Sequence, residues 1–325
     1  MKRGAERFEP WCINMIDQAE LTILLCPGQG AQQVGMGKSW FDSSPAAAEV
    51  FTQADERLGI ELSKVCFEGP KKQLDRTDLA QMAIYVTSVA CYRASVEDGR
   101  LEPGQITATA GLSLGEFTSL YVAGAFDFST GLDLVRLRGE AMQAAADSIP
   151  SGMIALMGVD EEQAQALCDA ARDDDVLVPA NFNCPGQVVV SGSRDACTRA
   201  VGVAQEMGLK AKSLSVAGAF HSPLMEPAAG RLAQALDQAD WHCPKISVVS
   251  NVTGRPHDLQ DIASIKALLI RQLTSPVQWT QSMQWLIHHT SGHYVELDPG
   301  KALSGLMRRI DRSVKVQNFE RTAVS

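Results

Sequence analysis

The sequence predicts an α/β fold in which a mostly parallel sheet is flanked by helices and a smaller βαββαβ unit is inserted. Buried strands alternate with helices near both ends of the chain, which is typical of a parallel sheet. In the middle, two strands follow each other without a helix between them. The composition, 45% hydrophobic and 21% charged, is that of a globular protein. A chain of 325 residues suffices for one large domain with a smaller companion.

The first part of the large domain begins with a buried strand and a glycine-rich turn. The apolar run 21–26 predicts the strand, and Pro27-Gly28-Gln29-Gly30 ends it. Helices and one further strand follow. The predicted ranges are helices 46–58 and 79–93, strand 106–110, and helices 115–123 and 131–146.

The middle segment predicts a ferredoxin-like subdomain, because its elements follow the split βαβ order. They are strand 153–159, helix 161–171, strands 176–180 and 187–191, helix 194–207 and strand 211–216. We expect this small subdomain to span 148–217. It would interrupt a large catalytic subdomain made of 15–147 and 218–325, with 1–14 as an extension.

The chain then returns to the large subdomain. A helix at 223–239 and a strand at 246–249 are followed by a polar loop with Ser275-Pro276. A strand at 294–297 and a turn lead into a last helix at 302–310.

Charge and composition exclude several classes of function. The formal net charge is −9 and no basic block offsets it, so we expect neither a nucleic-acid surface nor a membrane surface. No apolar run approaches the roughly 18 residues of a membrane helix. The first 14 residues lack the apolar stretch of a secretory signal, and Glu6 and Glu9 do not fit a transit peptide. The 8 cysteines form no C-x-x-C pair, which is typical of reduced thiols in the cytoplasm.

A serine on a sharp turn is the first candidate for catalysis. The pattern G-x-S-x-G, which describes a nucleophile elbow, is met by Gly111-Leu112-Ser113-Leu114-Gly115. The pattern lies between a predicted strand and a predicted helix, where a tight bend can expose the hydroxyl. An ordinary tight turn has the same five-residue pattern, so Ser113 is a candidate nucleophile at this point.

His221 is the candidate base among the 6 histidines. It precedes Ser222-Pro223, a pair typical of a helix start. This position places it on a loop at the sheet edge, where α/β folds carry ligands. A structural role for a lone histidine remains the alternative. His288, His289 and His293 have no carboxylate or cysteine at ligand spacing, so we predict no metal site there.

Arg138 is predicted to lie on the inward face of its helix, three or four residues from Leu134, Val135 and Met142. A buried arginine needs an anion, since an unpaired buried charge is costly. An internal acid and a substrate carboxylate are both open at this stage.

The turn Gly28-Gln29-Gly30 does not complete a dinucleotide-binding pattern, because Gln33 occupies the place of the third glycine. A glycine-bracketed residue after a strand can instead donate its N–H to a developing oxyanion.

Together these segments resemble the malonyl-CoA:acyl-carrier-protein transacylases of bacterial-type fatty acid synthesis and the acyltransferase domains of polyketide synthases. The resemblance covers about residues 21–312. It is carried, in chain order, by PGQGAQ (27–32), GLSLGE (111–116), RLRGEAMQ (136–143), NFNCPGQVVVSG (181–192), GAFHSPLM (218–225), SNVTG (250–254), QLTSPVQW (272–279) and ELDPGKALSGL (296–306). It implies a hydrolase-like α/β fold with an inserted ferredoxin-like subdomain.

The resemblance also implies a role for each matched residue. Ser113 would be the nucleophile and His221 its general base and acid. The N–H groups of Gln29 and Leu114 would form the oxyanion hole. Arg138 would bind the malonyl carboxylate, and the main-chain carbonyl of Gln272 would orient the histidine. Two further residues of the matched segments, Asn183 and Phe220, would line the acyl pocket.

The implied reaction transfers the malonyl group from malonyl-CoA to the phosphopantetheine thiol of acyl carrier protein. It is a ping-pong reaction through a malonyl-serine and supplies fatty acid elongation. No permanently bound cofactor and no metal is implied, because the partner carries the phosphopantetheine. The sequence Ala219-Phe220-His221 resembles relatives that select malonyl over methylmalonyl groups. We expect a monomer.

Two further points concern the docking surface for the carrier protein and one residue that departs from the pattern of many relatives. Because such carrier proteins are acidic, a basic docking patch is expected, with candidates Lys301, Arg308, Arg309 and Arg312, or Lys210 and Lys212. A solvated face is the alternative for each. Many relatives have histidine before the nucleophile, where this chain has Leu112. Other relatives also have leucine there.

Three other functions stay open on the sequence alone. A serine thioesterase or lipase would use the same elbow with water as acceptor, but it has no use for Arg138. A stand-alone acyltransferase of polyketide synthesis would have the same motifs. A non-catalytic binding module would not need Ser113, His221 and Arg138 together.

Overall fold

The structure, a computed structural model, describes residues 21–319. The extension expected at 1–14 lies outside the described residues. Strands numbered along the chain are β1 (Thr22–Cys26), β2 (Ile106–Gly111), β3 (Ser151–Met157), β4 (Leu177–Cys184), β5 (Gln187–Ser193), β6 (Lys210–Ser213), β7 (Ser247–Val249), β8 (His293–Glu296) and β9 (Val316–Asn318).

A parallel sheet forms the centre of the larger part of the molecule. Its strand order is β7-β2-β1-β8-β9, and every neighbouring pair is parallel. The central strand β1 is buried on both faces. Leu24 and Cys26 belong to one apolar cluster, and Ile23 and Leu25 belong to another on the opposite side. Burial on both faces explains why this strand is a continuous apolar run.

Helices cover both faces of this sheet, as predicted. The helices of the described residues, numbered along the chain, are α1 (Lys38–Ser43), α2 (Pro45–Leu58), α3 (Leu62–Glu68), α4 (Lys71–Leu74), α5 (Thr77–Glu97), α6 (Gly115–Val122), α7 (Phe128–Ser148), α8 (Glu161–Ala171), α9 (Arg194–Glu206), α10 (Glu226–Gln238), α11 (Ile262–Gln272), α12 (Trp279–His289) and α13 (Ala302–Ile310), of which α8 and α9 pack on the second sheet instead. Helices α2, α5, α6, α7, α10 and α11 contribute to the larger cluster, whereas α12 and α13 pack on the other face.

A second sheet contains the strands of the middle segment. Its order is β4-β5-β3-β6, and all its pairs are antiparallel. Helices α8 and α9 bury apolar side chains against it, including Leu167 and Ala200. The succession β3-α8-β4-β5-α9-β6 confirms the predicted βαββαβ order. The subdomain limits at 148 and 217 stay a prediction.

The two sheets are joined where β4 meets the segment before α12. Val277 donates its N–H to the Ala180 carbonyl, and Phe182 donates to the Val277 carbonyl, each at 2.9 Å. The next residue, Gln278, donates its N–H to the Asn251 carbonyl just after β7 at 2.7 Å, so β4 lies near the carboxyl end of that parallel strand.

Several elements differ from the sequence expectation. The sequence predicted a polar loop before Ser275, but helix α11 occupies 262–272, and Asp261 caps it by accepting the N–H of Ser264 at 2.9 Å. Helices α1, α3 and α4 have 6, 7 and 4 residues. Such short helices show too little periodicity to be recognised.

Candidate functional site

The candidate site lies at the carboxyl ends of parallel strands, where α/β folds place their ligands. Strand β2 ends at Gly111, and α6 begins at Gly115, so Ser113 occupies the turn between them. The φ of Ser113 is 52°, a left-handed conformation that is uncommon for a residue with a side chain. The sharp turn lifts the hydroxyl away from the sheet.

Two glycines allow this turn to lie close to the sheet. A Cβ at Gly111 would lie 1.9 Å from the Gly115 carbonyl carbon, and a Cβ at Gly115 would lie 2.1 Å from the Cys26 oxygen. Both neighbours are backbone atoms, which cannot move aside as a flexible side chain can. The pattern G-x-S-x-G is therefore required here by close approach of the backbone.

His221 is brought to Ser113 from 108 residues further along the chain. Its Nε2 lies 2.8 Å from the Ser113 Oγ, and its Nδ1 lies 2.7 Å from the main-chain oxygen of Gln272. A carbonyl can only accept, so Nδ1 carries the proton and Nε2 is free to accept the serine proton. His221 is 3% exposed and has a φ of 58°.

The environment of His221 keeps the imidazole neutral. Burial, and then the positive charge of Arg138, lower the pKa of His221 from 6.5 to about 4. Hydrogen bonding to the backbone carbonyls of Gln272 and Ser275 opposes the shift. At neutral pH the ring is therefore in the form that can act as a base.

Arg138 lies on the inward face of α7 and is 1% exposed. Its Nη2 donates to the Ser113 Oγ at 3.0 Å and to the Gln272 Oε1 at 2.9 Å. Its Nη1 donates to the Gln81 Oε1 at 2.5 Å. Among residues 21–319, no ion pair includes Arg138. The contact partners of this guanidinium are uncharged oxygens.

Arg138 stays cationic despite its burial. Desolvation lowers the pKa of Arg138 from 12.5 to about 10, and the charge of Glu116 partly opposes this. The sequence left open whether an internal acid or a substrate carboxylate pairs with Arg138. Among the described residues no acidic side chain contacts the guanidinium, so these contacts do not support the internal acid. A cation beside the serine hydroxyl can receive an anionic ligand.

A cavity of about 320 Å³ opens onto Ser113 and His221. Its walls come from the second sheet and from the turns that follow β1 and β2, and its lining residues include Gln29, Asn183, Met153, Val189, Leu214 and Phe220. The Oδ1 of Asn183 is buried without a hydrogen-bond partner among the described residues. An amide or hydroxyl of a ligand can supply the missing donor.

Two backbone N–H groups beside the serine are unused. Within residues 21–319, neither the N–H of Gln29 nor that of Leu114 is donated to an acceptor. Gln29 lines the cavity with Ser113, and Leu114 directly follows the serine at the start of α6. Free donors at this place can stabilise a developing oxyanion.

Several residues of the site were not predicted from the sequence. Gln81 contacts Arg138, and Asn251 accepts the N–H of Ser113 at 2.6 Å. Glu116 and the side chain of Gln272 are also part of the hydrogen bonds beneath the serine. The signal available for Gln81 was a polar residue inside the otherwise apolar stretch LAQMAIYV.

The remaining histidine candidates lie apart from this site. His289 stacks on Trp285 at a centroid distance of 4.7 Å, and His293 contacts Thr22. Within the part of the chain that the structure describes, no three His, Cys, Asp or Glu side chains converge to hold a metal ion. None of the helices in residues 21–319 has the length and apolar character needed to cross a bilayer.

Comparison with known proteins assigns the class to which this fold and site belong. The model of the acyl transferase domain family matches residues 23–324. The chain belongs to this acyl transferase family.

The individual relatives narrow the class further. The malonyl CoA-acyl carrier protein transacylase of Bacillus subtilis (strain 168) is 41% identical over 293 residues, or 90% of each chain. The structure of malonyl-CoA:acyl carrier protein transacylase from Xanthomonas oryzae pv. oryzae has a TM-score of 0.87 and 39% identity, and covers 92% of this chain and 94% of that one. A malonyl-transacylase in complex with its type II PKS acyl-carrier protein has a TM-score of 0.87 and 34% identity, with coverages of 93% and 97%. The chain is thus similar to malonyl-transacylases over nearly its whole length.

Proposed function

We propose that this protein transfers the malonyl group from malonyl-CoA to the phosphopantetheine thiol of acyl carrier protein, and so supplies fatty acid elongation. One observation supports this above all. The Ser113 Oγ lies 2.8 Å from the His221 Nε2 and 3.0 Å from the Arg138 Nη2. A nucleophile, its base and a buried cation thus meet at one oxygen, which is the arrangement that a carboxylate-bearing acyl group requires.

In the first half-reaction, the malonyl carboxylate replaces the Ser113 hydroxyl as an acceptor of Arg138. This contact fixes the thioester carbonyl over the serine. His221 accepts the hydroxyl proton through Nε2 as Oγ attacks. The C–S bond then breaks, His221 returns the proton to the departing CoA sulfur, and malonyl-Ser113 remains.

The oxyanion that forms between these steps is a target for the free N–H groups of Gln29 and Leu114. Each such donor contributes about 3–4 kcal/mol to transition-state stabilisation in related chemistry. The second half-reaction is the reverse, with the phosphopantetheine thiol as nucleophile. We propose that Asn183 and Phe220, which line the cavity, contact the acyl group or the pantetheine arm.

The partner surface is proposed to lie on and after α13. The exposed side chains Arg308, Arg309, Arg312 and Lys315 surround a depression beside Pro185. None of them takes part in an ion pair with another described residue. Unpaired cations on an acidic protein favour an acidic partner. Lys210 and Lys212 on β6 are exposed as well and remain a second candidate patch.

We further propose that the protein acts in the cytoplasm and that one chain suffices for catalysis. The proposed nucleophile, base and carboxylate-binding residue all come from the same chain, so the site needs no second copy. Size-exclusion chromatography with light scattering would test the monomer.

Intact mass spectrometry tests the function. The wild type mixed with malonyl-CoA should gain one malonyl group, and holo acyl carrier protein should remove it. The Ser113→Ala variant should gain none. Loss of the adduct without carrier protein, at a rate comparable to turnover, would instead indicate a hydrolase. An adduct on the Ser113→Ala variant would refute the proposed mechanism.

A further inference from the structure

Glu116 is a buried carboxylate that contacts no part of the cavity but links the residues around it. It lies in the first turn of α6 and is 0% exposed. Its Oε2 accepts from the Gln272 Nε2 at 2.7 Å and from the Asn251 N–H at 3.1 Å. Its Oε1 accepts from the His257 Nε2 at 2.7 Å. We call these four residues the Glu116 network.

Through Gln272, the network reaches both the base and the cation. The Gln272 Nε2 donates to Glu116 and to the Ser113 carbonyl, the latter at 3.0 Å. This leaves the Gln272 Oε1 to accept from Arg138 at 2.9 Å, while the main-chain oxygen accepts from His221. A reversed amide would place its NH₂ against the guanidinium, where both groups are donors. The acceptor at position 116 therefore fixes the orientation of the Gln272 side chain.

Through Asn251, the network also contacts the backbone of the turn that contains Ser113. The Asn251 Oδ1 accepts the Ser113 N–H and its Nδ2 donates to the Gly111 carbonyl, each at 2.6 Å. These two bonds bracket the strained residue Ser113, and the backbone of Asn251 is itself held by Glu116. Glu116 thus acts on both sides of the reacting oxygen.

His257 completes the acceptor positions of Glu116. It is 5% exposed, and its own N–H is donated to the Val248 carbonyl in β7 at 2.9 Å. The imidazole N–H satisfies the carboxylate oxygen that the other two members leave unpaired, since a buried unpaired carboxylate oxygen is costly. The three donors together fix the carboxylate in one position.

We propose that Glu116 is a positioning residue that holds Ser113, His221 and Arg138 in register by accepting hydrogen bonds from Gln272 and Asn251. The inference rests on the proposed function, because it concerns the register needed for malonyl transfer. The network needs a hydrogen-bond acceptor on a side chain long enough to contact Gln272 and Asn251, so the position of the Glu116 oxygens matters more than their charge.

Two substitutions separate the effect of side-chain length at position 116 from the effect of its charge. In Glu116→Gln, the amide oxygen can accept from Gln272 and Asn251, while its NH₂ donates to the His257 Nε2 in the other neutral tautomer. In Glu116→Asp, the charge is kept but the oxygens retract by roughly one C–C bond length. Since a misplacement of this size can lower a rate about 100-fold, the shorter carboxylate should be the more harmful change.

The readout is single-turnover acylation followed by intact mass spectrometry, with malonyl-CoA and with acetyl-CoA. The final adduct amplitude counts competent molecules, so the rate per competent site and the malonyl-to-acetyl ratio do not depend on how much protein is folded. We expect Glu116→Asp to lower the rate of malonylation about 10- to 100-fold. We also expect it to lower the malonyl-to-acetyl rate ratio, because Gln272 no longer holds the Arg138 guanidinium in place. Glu116→Gln should stay within about fivefold of the wild type, since a neutral amide oxygen accepts the same two hydrogen bonds.

Thr118→Val is the matched control. Thr118 lies on the same helix, is 0% exposed, and its hydroxyl has no partner among the described residues. It should leave both the rate and the ratio unchanged. An unchanged ratio and rate per site in Glu116→Asp would overturn the proposal, and so would an equal loss in Glu116→Gln, which would assign the effect to charge.

If Glu116→Asp does not fold, Gln272→Leu decides, because it removes the amide and keeps the main-chain oxygen that His221 contacts. A retained malonyl-to-acetyl ratio in Gln272→Leu would overturn the link to Arg138, and a narrowed one would support it. Failure of the proposed function itself would be visible in the wild type as the absence of a malonyl adduct. Failure of the inference would be visible only in the variants.

Discussion

Arg138 is a fully buried cation whose hydrogen-bond partners are the neutral oxygens of Ser113, Gln81 and Gln272. Most buried arginines are paired with an acid, because an unpaired charge is costly. A malonyl carboxylate would supply the missing anion, whereas an acetyl group would not. The penalty for leaving such a charge unpaired is about 2–5 kcal/mol, which is large enough to select substrates.

Replacing Arg138 should therefore change selectivity as well as rate. We expect Arg138→Ala to lower malonylation of Ser113 at least about 100-fold and to lower acetylation much less, so the malonyl-to-acetyl ratio narrows. Single-turnover acylation with both thioesters measures this. The control is Arg136→Ala, since Arg136 lies on the same helix but is exposed and pairs with Glu140 at 3.9 Å. Equal losses on both thioesters would mean that Arg138 serves only the fold.

The lowered pKa of His221 predicts an unusually acidic limit to activity. A base is lost when it is protonated, and the pKa of about 4 means that protonation occurs well below the ordinary 6.5. The kcat/KM for malonyl-CoA should thus be nearly flat from pH 7 to about 5 and fall by half near the pKa. Stopped-flow acylation, with circular dichroism at each pH to monitor folding, measures this limb. A midpoint near 6.5 would contradict the described environment of the ring.

At the scale of elements, the turn between β2 and α6 depends on backbone atoms that lie close together. Gly115→Ala should destabilise the protein by more than about 3 kcal/mol, because its Cβ would lie 2.1 Å from the Cys26 oxygen. Gly230→Ala is the control within α10, where nothing lies within 4 Å of the added Cβ. That change should stabilise by about 0.5–1 kcal/mol. Urea unfolding of both variants measures the difference, and a wild-type midpoint for Gly115→Ala would contradict it.

Helix α13 and the residues after it provide the test of partner docking. Arg308→Glu with Arg312→Glu should raise the KM for holo acyl carrier protein about tenfold or more at low salt and leave acylation by malonyl-CoA unchanged. Arg309 is left intact, because its guanidinium also donates to the Pro185 and Gly186 carbonyls of the β4–β5 turn. The control is a charge reversal at exposed Arg231 and Lys64, on α10 and α3. An unchanged KM would exclude this surface.

For the whole molecule, the sequence predicted the elements that are long enough to show their hydrophobic pattern without information from the rest of the fold. The apolar run of β1 and the periodicity of α7 follow from burial and could be found without tertiary information. The helix α11 had a recognisable cap at Asp261 and apolar residues at Ile265 and Leu269, but the nearby Ser275-Pro276 suggested a loop. Strand β9 has only 3 residues and none of them is fully buried, so it lacks the apolar run that marks the equally short β7.

The site was predictable only where a motif marks it. Ser113 and His221 lie next to recognisable turns, and the resemblance implies that they act together; the structure places the Oγ and Nε2 atoms 2.8 Å apart. Gln81 lies on α5, whereas Asn251 and His257 lie in the segment after β7, and the sequence does not mark either place as a neighbour of the serine. Their positions follow from the packing of α5, α6 and the segment after β7, which a single sequence does not reveal.

The acceptor that orients the imidazole belongs to the main chain at the end of α11. A peptide oxygen does not titrate in the range where proteins are folded, so this contact is the same in acid and in neutral solution. No substitution at position 272 can delete that oxygen, since every amino acid supplies it. The alignment of the ring is therefore encoded in the path of the backbone, and only a change that shifts the helix terminus can abolish it.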